Sequence, residues 1–147
     1  MYVDNQGLLS DAQALTATAF STNTYDSGAN TPSNDVGDGE PMCVAIGVDV
    51  AADFTSANET YQFDIVQSAN ANLSSPDVLA SRIITAANLT LGSLRYIDVP
   101  AGAQTKRFIG IQYTLGGTTP TITVTAAYAP KSMIQRNKIY AKGYTIS

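Results

Sequence analysis

The groups from which this chain could build chemistry are few. Its 147 residues carry twelve carboxylates, eight lysines and arginines, a single thiol at Cys43 and no histidine. Histidine is the side chain whose charge changes near neutral pH, the usual general base and the commonest metal ligand. Without it, Ser-His-Asp and Cys-His constellations are excluded. Paired carboxylates remain, the minimum equipment for glycoside hydrolysis. Asp49 and Asp64 would form such a pair if their strands were neighbours. There is no tryptophan to stack a sugar. Both acids read more simply as polar faces of strands, so no catalytic or cofactor-binding residue is assigned.

Residues 26–41, DSGANTPSNDVGDGEP, gather Asp35, Asp38 and Glu40. A calcium loop needs oxygen donors at set positions and a closing glutamate. Val36 occupies one donor position and no glutamate closes the loop, so no metal site is assigned. A loop of this length without apolar periodicity suits contact with a partner. No P-loop spacing occurs, because Gly116-Gly117 lies between two strand patterns rather than between a strand and a helix. Cys43 sits in an apolar run and reads as a buried small hydrophobe. A single cysteine also rules out an intrachain disulfide.

Charge is unevenly distributed. Residues 1–81 hold eleven acids and no Lys or Arg, whereas residues 82–147 hold all eight basic residues and one acid, Asp98. The halves therefore carry −11 and +7, summing to −4. Folded together they either neutralise one another or leave the molecule polar from end to end. The last segment, residues 131–147, carries Lys131, Arg136, Lys138 and Lys142 among Ile139, Tyr140 and Tyr144. It reads as a closing strand or as an arm toward an acidic neighbour. Four basic residues beside an acidic domain are a poor footprint for phosphates, so nucleic acid is not an expected partner.

The elements that must position these groups are strands. From 108 to 128, Ile109, Ile111, Tyr113 and Leu115 alternate with polar or small residues, and so do Ile122, Val124, Ala126 and Tyr128. Period-two alternation of β-branched and aromatic residues marks half-buried strands. The intervening Gly-Gly-Thr-Thr-Pro is turn-forming. Parity predicts a hairpin with Leu115 opposite Pro120, Tyr113 opposite Ile122 and Ile111 opposite Val124. Residues 42–50 alternate with a small second face and suit a central strand, expected to pair with residues 61–67. In residues 8–25, Ser10-Asp11-Ala12-Gln13 fits a helix cap, but the Thr16 to Thr24 alternation predicts extended chain from Leu15. Ser75-Pro76-Asp77 predicts at most a short helix near 76–84, and residues 94–99 a strand ended by Pro100.

Seven or eight strands without a long helix predict an all-β fold, an antiparallel jelly roll or two-sheet β-sandwich. One domain covers residues 1–130, followed by the basic strand or arm at 131–147. No apolar run approaches the roughly 20 residues needed to span a bilayer. The N-terminal residues lack a basic, then apolar, leader. A soluble protein made in a cytoplasm is expected, without a membrane partner.

Six stretches carry a family resemblance. IDVPAGAQTKRFIGIQYTLGGTTPTITVTAAY is the strongest, and SDAQALT, STNTYD, VGDGEPMCVAIGVDV, YQFDIVQSAN and SSPDVLAS precede it in order. In these the chain resembles the capsid cement (decoration) proteins of tailed phages, of Bordetella podophage type. The resemblance implies a jelly roll on the outer surface of a virion, cementing neighbouring major capsid subunits. It also implies self-association, as a homodimer or alternatively a trimer. Loops and termini would make the contacts, with Asp35, Asp38, Lys131, Arg136, Lys138 and Lys142 as candidate capsid or subunit contacts. The reading from another class is a carbohydrate-binding or adhesin module, disfavoured by the missing tryptophan.

Overall fold

The alternating segments form strands in a computed structural model, which describes residues 5–28, 41–100 and 102–132. The strands are β1 (Leu8–Leu15), β2 (Ala19–Phe20), β3 (Tyr25–Asp26), β4 (Met42–Val50), β5 (Thr60–Ser68), β6 (Asp77–Ile83), β7 (Leu94–Val99), β8 (Phe108–Gly116) and β9 (Ile122–Pro130). The first sheet has the order β1-β9-β4-β7; the second runs β2-β8-β5-β6, with β3 also on β8. Every pairing is antiparallel. With β2 and β3 counted as one interrupted strand, the described residues form an eight-stranded jelly roll. Among the described residues only β5 and β6 are successive full-length strands paired in one sheet; the other long connections cross between sheets.

The apolar faces are those expected. Met42, Val44, Ile46 and Val48 of β4, Tyr61, Phe63 and Ile65 of β5, Ile109, Ile111 and Tyr113 of β8, and Ile122, Val124 and Ala126 of β9 share one buried core. The Phe63 and Tyr113 rings meet edge to face at 5.8 Å. Tyr25 on the second sheet meets Tyr128 on the first at 5.2 Å.

The pairing expected of the 108–128 segment is not formed. Tyr113 lies opposite Phe63 and Ala19, and Ile122 opposite Leu15. β8 and β9 belong to different sheets, although Tyr113 and Ile122 both reach the same core. Alternation reports which side chains face the apolar layer. Two strands facing each other across a sandwich satisfy that parity as well as a hairpin does. The connection itself resists a hairpin. Gly117 has φ +101°, and a Cβ there would come within 2.6 Å of Asn58 O and Glu59 Cα. The Asn58 side chain donates to Thr118 Oγ1 and accepts from Thr118 N, so this loop is tied to the β4–β5 connection. β4 and β5 likewise face each other across the core instead of pairing. β4 is central, between β9 and β7, as expected. Its small face packs Cys43 and Ala45 with Ala129 against Leu94 and Tyr96, outside the main core.

Two local expectations change. Ser10-Asp11-Ala12-Gln13 caps no helix and lies inside β1, whose pairing with β9 shifts register twice. Ala12 has φ 45°, and Ser10 Oγ donates to Gln13 Oε1. Extended chain thus begins at Leu8, and the later threonine row contributes only β2 and β3. Residues 77–83 form strand β6 rather than a helical turn. Pro76 stands just before that edge strand, where a missing N–H costs no ladder bond. The nearby 3-10 turn is Ala86–Asn88.

Candidate functional site

Antiparallel register sorts the loops onto two ends. Met42 pairs with Val99 and Pro130, Ser68 with Phe108, and Asp26 with Phe108. The starts of β4 and β8 and the ends of β3, β5, β7 and β9 therefore share one end. All the ion pairs among the described residues lie there. Arg107 grips Asp26 through two parallel hydrogen bonds of 2.7 and 2.8 Å. Lys106 Nζ lies 2.6 Å from Asp77, and Lys131 Nζ 3.0 Å from Asp98. The first two pairs join the acidic and basic parts of the sequence, so the halves partly neutralise each other in space.

The Arg107 hydrogen bond, helped by the Gly28 N–H, lowers the Asp26 pKa to about 2. The Arg107 guanidinium also lies 4.8 Å from the Phe108 ring centroid. Such exposed pairs add little stability individually.

Of the six candidate contact residues, Lys131 is placed here. Asp35, Asp38, Arg136, Lys138 and Lys142 lie outside the described residues. The Lys131 amide donates to Pro41 O at 2.8 Å. The point where the chain returns after residues 29–40 thus touches the point from which residues 133–147 depart.

The carboxylates considered for catalysis are not brought together. Asp49 accepts from Thr125 Oγ1 at 2.6 Å on the outer side of the first sheet. Asp64 is held on the second sheet by Gln62 Nε2 at 2.9 and 3.0 Å and by the Ser81 hydroxyl. Among the described residues no group of three or more His, Cys, Asp or Glu could hold a metal ion. Burial, reinforced by the Asp98 charge, pushes the Cys43 thiol up to about 11.

The opposite end shows a feature that the sequence reading missed. A recess of about 190 Å³ opens between the β4–β5 connection and the β6–β7 connection, lined by Phe54, Glu59, Tyr61, Ile83, Ile84 and Ala86 among others. Phe54 is 53% exposed and Ile83 70%. Residues 51–60, AADFTSANET, are mostly polar or small, and Phe54 is their one large apolar side chain.

The class defined by this architecture is an antiparallel jelly-roll protein with ion-paired loops at one end and an apolar recess at the other. The chain matches the Bbp16 family over residues 9–128 and belongs to that family, a bacteriophage family of Bordetella-phage type. A search of curated proteins gives no match. Among the described residues no helix is long and apolar enough to cross a membrane.

Proposed function

We propose that this protein is a structural virion component that binds the outer surface of a phage capsid and cements neighbouring major capsid subunits. The observation that carries the reading is the junction of Lys131 with Pro41. It roots two oppositely charged segments at one end of a rigid sandwich. Residues 29–40 hold Asp35, Asp38 and Glu40 without a basic residue, and residues 133–147 hold Arg136, Lys138 and Lys142 without an acid. A body joined at one end to segments of both signs is suited to a seam where two shell subunits offer complementary charge. The family, a phage family, supports the same reading.

Many copies on a symmetric shell would reinforce a weak individual contact wherever copies are linked. Self-association as a homodimer, with a trimer as the alternative, would supply that link through a symmetric interface. The major capsid protein is the partner, and no nucleic acid or membrane is required.

The test uses capsids assembled without this chain. Adding back the full chain should decorate the outer surface in electron micrographs and raise the temperature at which packaged DNA escapes. Chains lacking residues 29–40 or 133–147 should bind with lower occupancy. Undecorated shells after addition of the full chain, or unchanged occupancy with both deletions, would reject the reading.

A further inference from the structure

The outer face of the first sheet is buried at one end and open at the other. Cys43 and Ala45 of β4 and Ala127 of β9 are 0% exposed, and Ala129 of β9 is 5% exposed. All four point away from the main core, which the alternate residues Val44, Ile46, Ala126 and Tyr128 line. Further along the same two strands, Gly47 and Thr125 are half-buried and Asp49 is exposed. The buried part is the part nearest the ion pairs. There Cys43 pairs with Ala129 and Asp98, and Ala45 with Ala127 and Tyr96. Burial pushes up the Cys43 thiol, to about 11, and raises the Tyr96 phenol too.

Side chains this small do not bury one another. On the outer side of a sheet they stand lower than their neighbours, and water reaches them unless a further layer lies above. Among the described residues the apolar side chains packed on this cluster are Leu94 and Tyr96, both only half-buried themselves. They belong to β7, on one side of β4, whereas Ala127 and Ala129 lie on the other side. The described chain ends close by. The Lys131 ammonium spans the start of β4 to reach Asp98 at 3.0 Å, and the Lys131 amide donates to Pro41 O. Residues 133–147 therefore depart from the buried end of this face.

We propose that residues 133–147 fold back over this outer face and are the layer that buries it. Fifteen residues reach roughly 50 Å when extended, more than the roughly 30 Å of the nine-residue β4. Ile134, Ile139, Tyr140, Tyr144 and Ile146 supply the large apolar side chains for which alanine, glycine and cysteine leave room. Arg136, Lys138 and Lys142, with no acid among them, match Asp49 and Asp98, both exposed on the same face. Residues 29–40 start and finish at the same end but hold Val36 as their one large apolar side chain. The inference concerns the isolated chain and stands independently of the capsid reading.

Cys43 is the probe, because it lies in the covered face and is the chain's one thiol. The experiment times its labelling by a thiolate-selective disulfide reagent in three proteins: the full chain, a chain ending at Ser132, and a chain whose residues 29–40 are replaced by a Gly-Ser linker of equal length. Loss of residues 133–147 should speed labelling at least about a hundredfold while cooperative urea unfolding is kept. The linker variant should label as slowly as the parent. Should the shortened chain fail to fold, Tyr140→Ser combined with Tyr144→Ser keeps the full length and should speed labelling at least about tenfold. Slow labelling in a natively folded shortened chain would mean that residues up to 132 bury Cys43 themselves, which overturns the proposal. So would parent-like labelling of the serine variant. Fast labelling of the linker variant, or of a chain starting at Asn5, would give the cover to another segment and overturn it as well. Protection that fades on dilution would give the cover to a second copy, with the same result.

Discussion

Ser10 Oγ on β1 and the Tyr113 hydroxyl on β8 meet at 2.7 Å inside the protein, joining one sheet to the other. Ser10 gives its own proton to Gln13 Oε1 at 2.7 Å, so Tyr113 is the donor between the sheets. Gln13 Nε2 in turn donates to Phe20 O at 2.9 Å. The hydrogen-bonded chain thus passes from β8 through β1 to β2. Burial pushes the Tyr113 pKa up, which keeps the phenol protonated and donating. Ser10→Ala leaves that buried hydroxyl without an acceptor and should cost about 1–3 kcal/mol. Tyr113→Phe should cost less, near 1 kcal/mol. Urea unfolding of both single variants and the double variant tests this, since the double should lose less than the sum. Strict additivity would mean that the contact carries no coupling.

Gly110 and Leu73 define a second coupled pair. Leu73, 1% exposed, comes from the β5–β6 connection. A Cβ on Gly110 would overlap Leu73 Cδ1 and stand 3.0 Å from Ser21 Oγ. Gly110→Ala should destabilise by about 1–3 kcal/mol through overpacking. In a Leu73→Ala background the same change should cost much less, because the overlapping atom is gone. A denaturant cycle of the four proteins measures the difference.

The Asp26–Arg107 pair predicts a particular acid response. The Asp26 pKa is lowered from 3.8 to about 2, so the folded state binds this proton less readily than the unfolded chain. The stabilisation is present above the unfolded value and is lost as pH falls from about 4 to about 2. Asp26→Asn should therefore melt below the parent at pH 6, and the gap should close across that window. A gap that does not change with pH would show that the pair's contribution is not electrostatic.

Cys43 should be silent in the native state. It is fully buried on the outer side of β4, and its pKa is pushed up to about 11 by burial and the Asp98 charge. A thiolate-selective disulfide reagent at pH 8 should label it only as fast as the structure opens, and at once in denaturant. Rapid native labelling would contradict this packing.

The sequence made the faces of the strands legible but not their partners. Ile109, Ile111 and Tyr113, and Ile122, Val124 and Ala126, all point inward as their alternation required. The hairpin between them was wrong because alternation is a local property, whereas pairing is settled by which sheet each strand joins. Asn58 and Gly117 decide that at the connection, and neither interrupts the pattern. Residues 77–83 were misread because β6 is an edge strand whose exposed side chains show little periodicity. Of the candidate contacts, Lys131 could be placed, and its link to Pro41 depends on a backbone amide that no side-chain pattern announces. Glu59 looked like one more acid in a polar connection. It lines the same recess as the distant residues 83–87.

The position of β9 between β1 and β4 has a consequence for how the molecule is made. Until β9 arrives, the first sheet is split, and β1 and β4 each present an open inner edge. Translation at about 5–20 residues per second holds the nascent chain in that state for seconds. Folding then rests on pairings between distant parts of the chain, the kind that proceeds in roughly milliseconds to seconds. Ribosome-bound chains ending before residue 122 should therefore be cleaved readily by protease, and full-length released chains should resist it. Unpaired edges make the interval before β9 arrives the time of greatest aggregation risk.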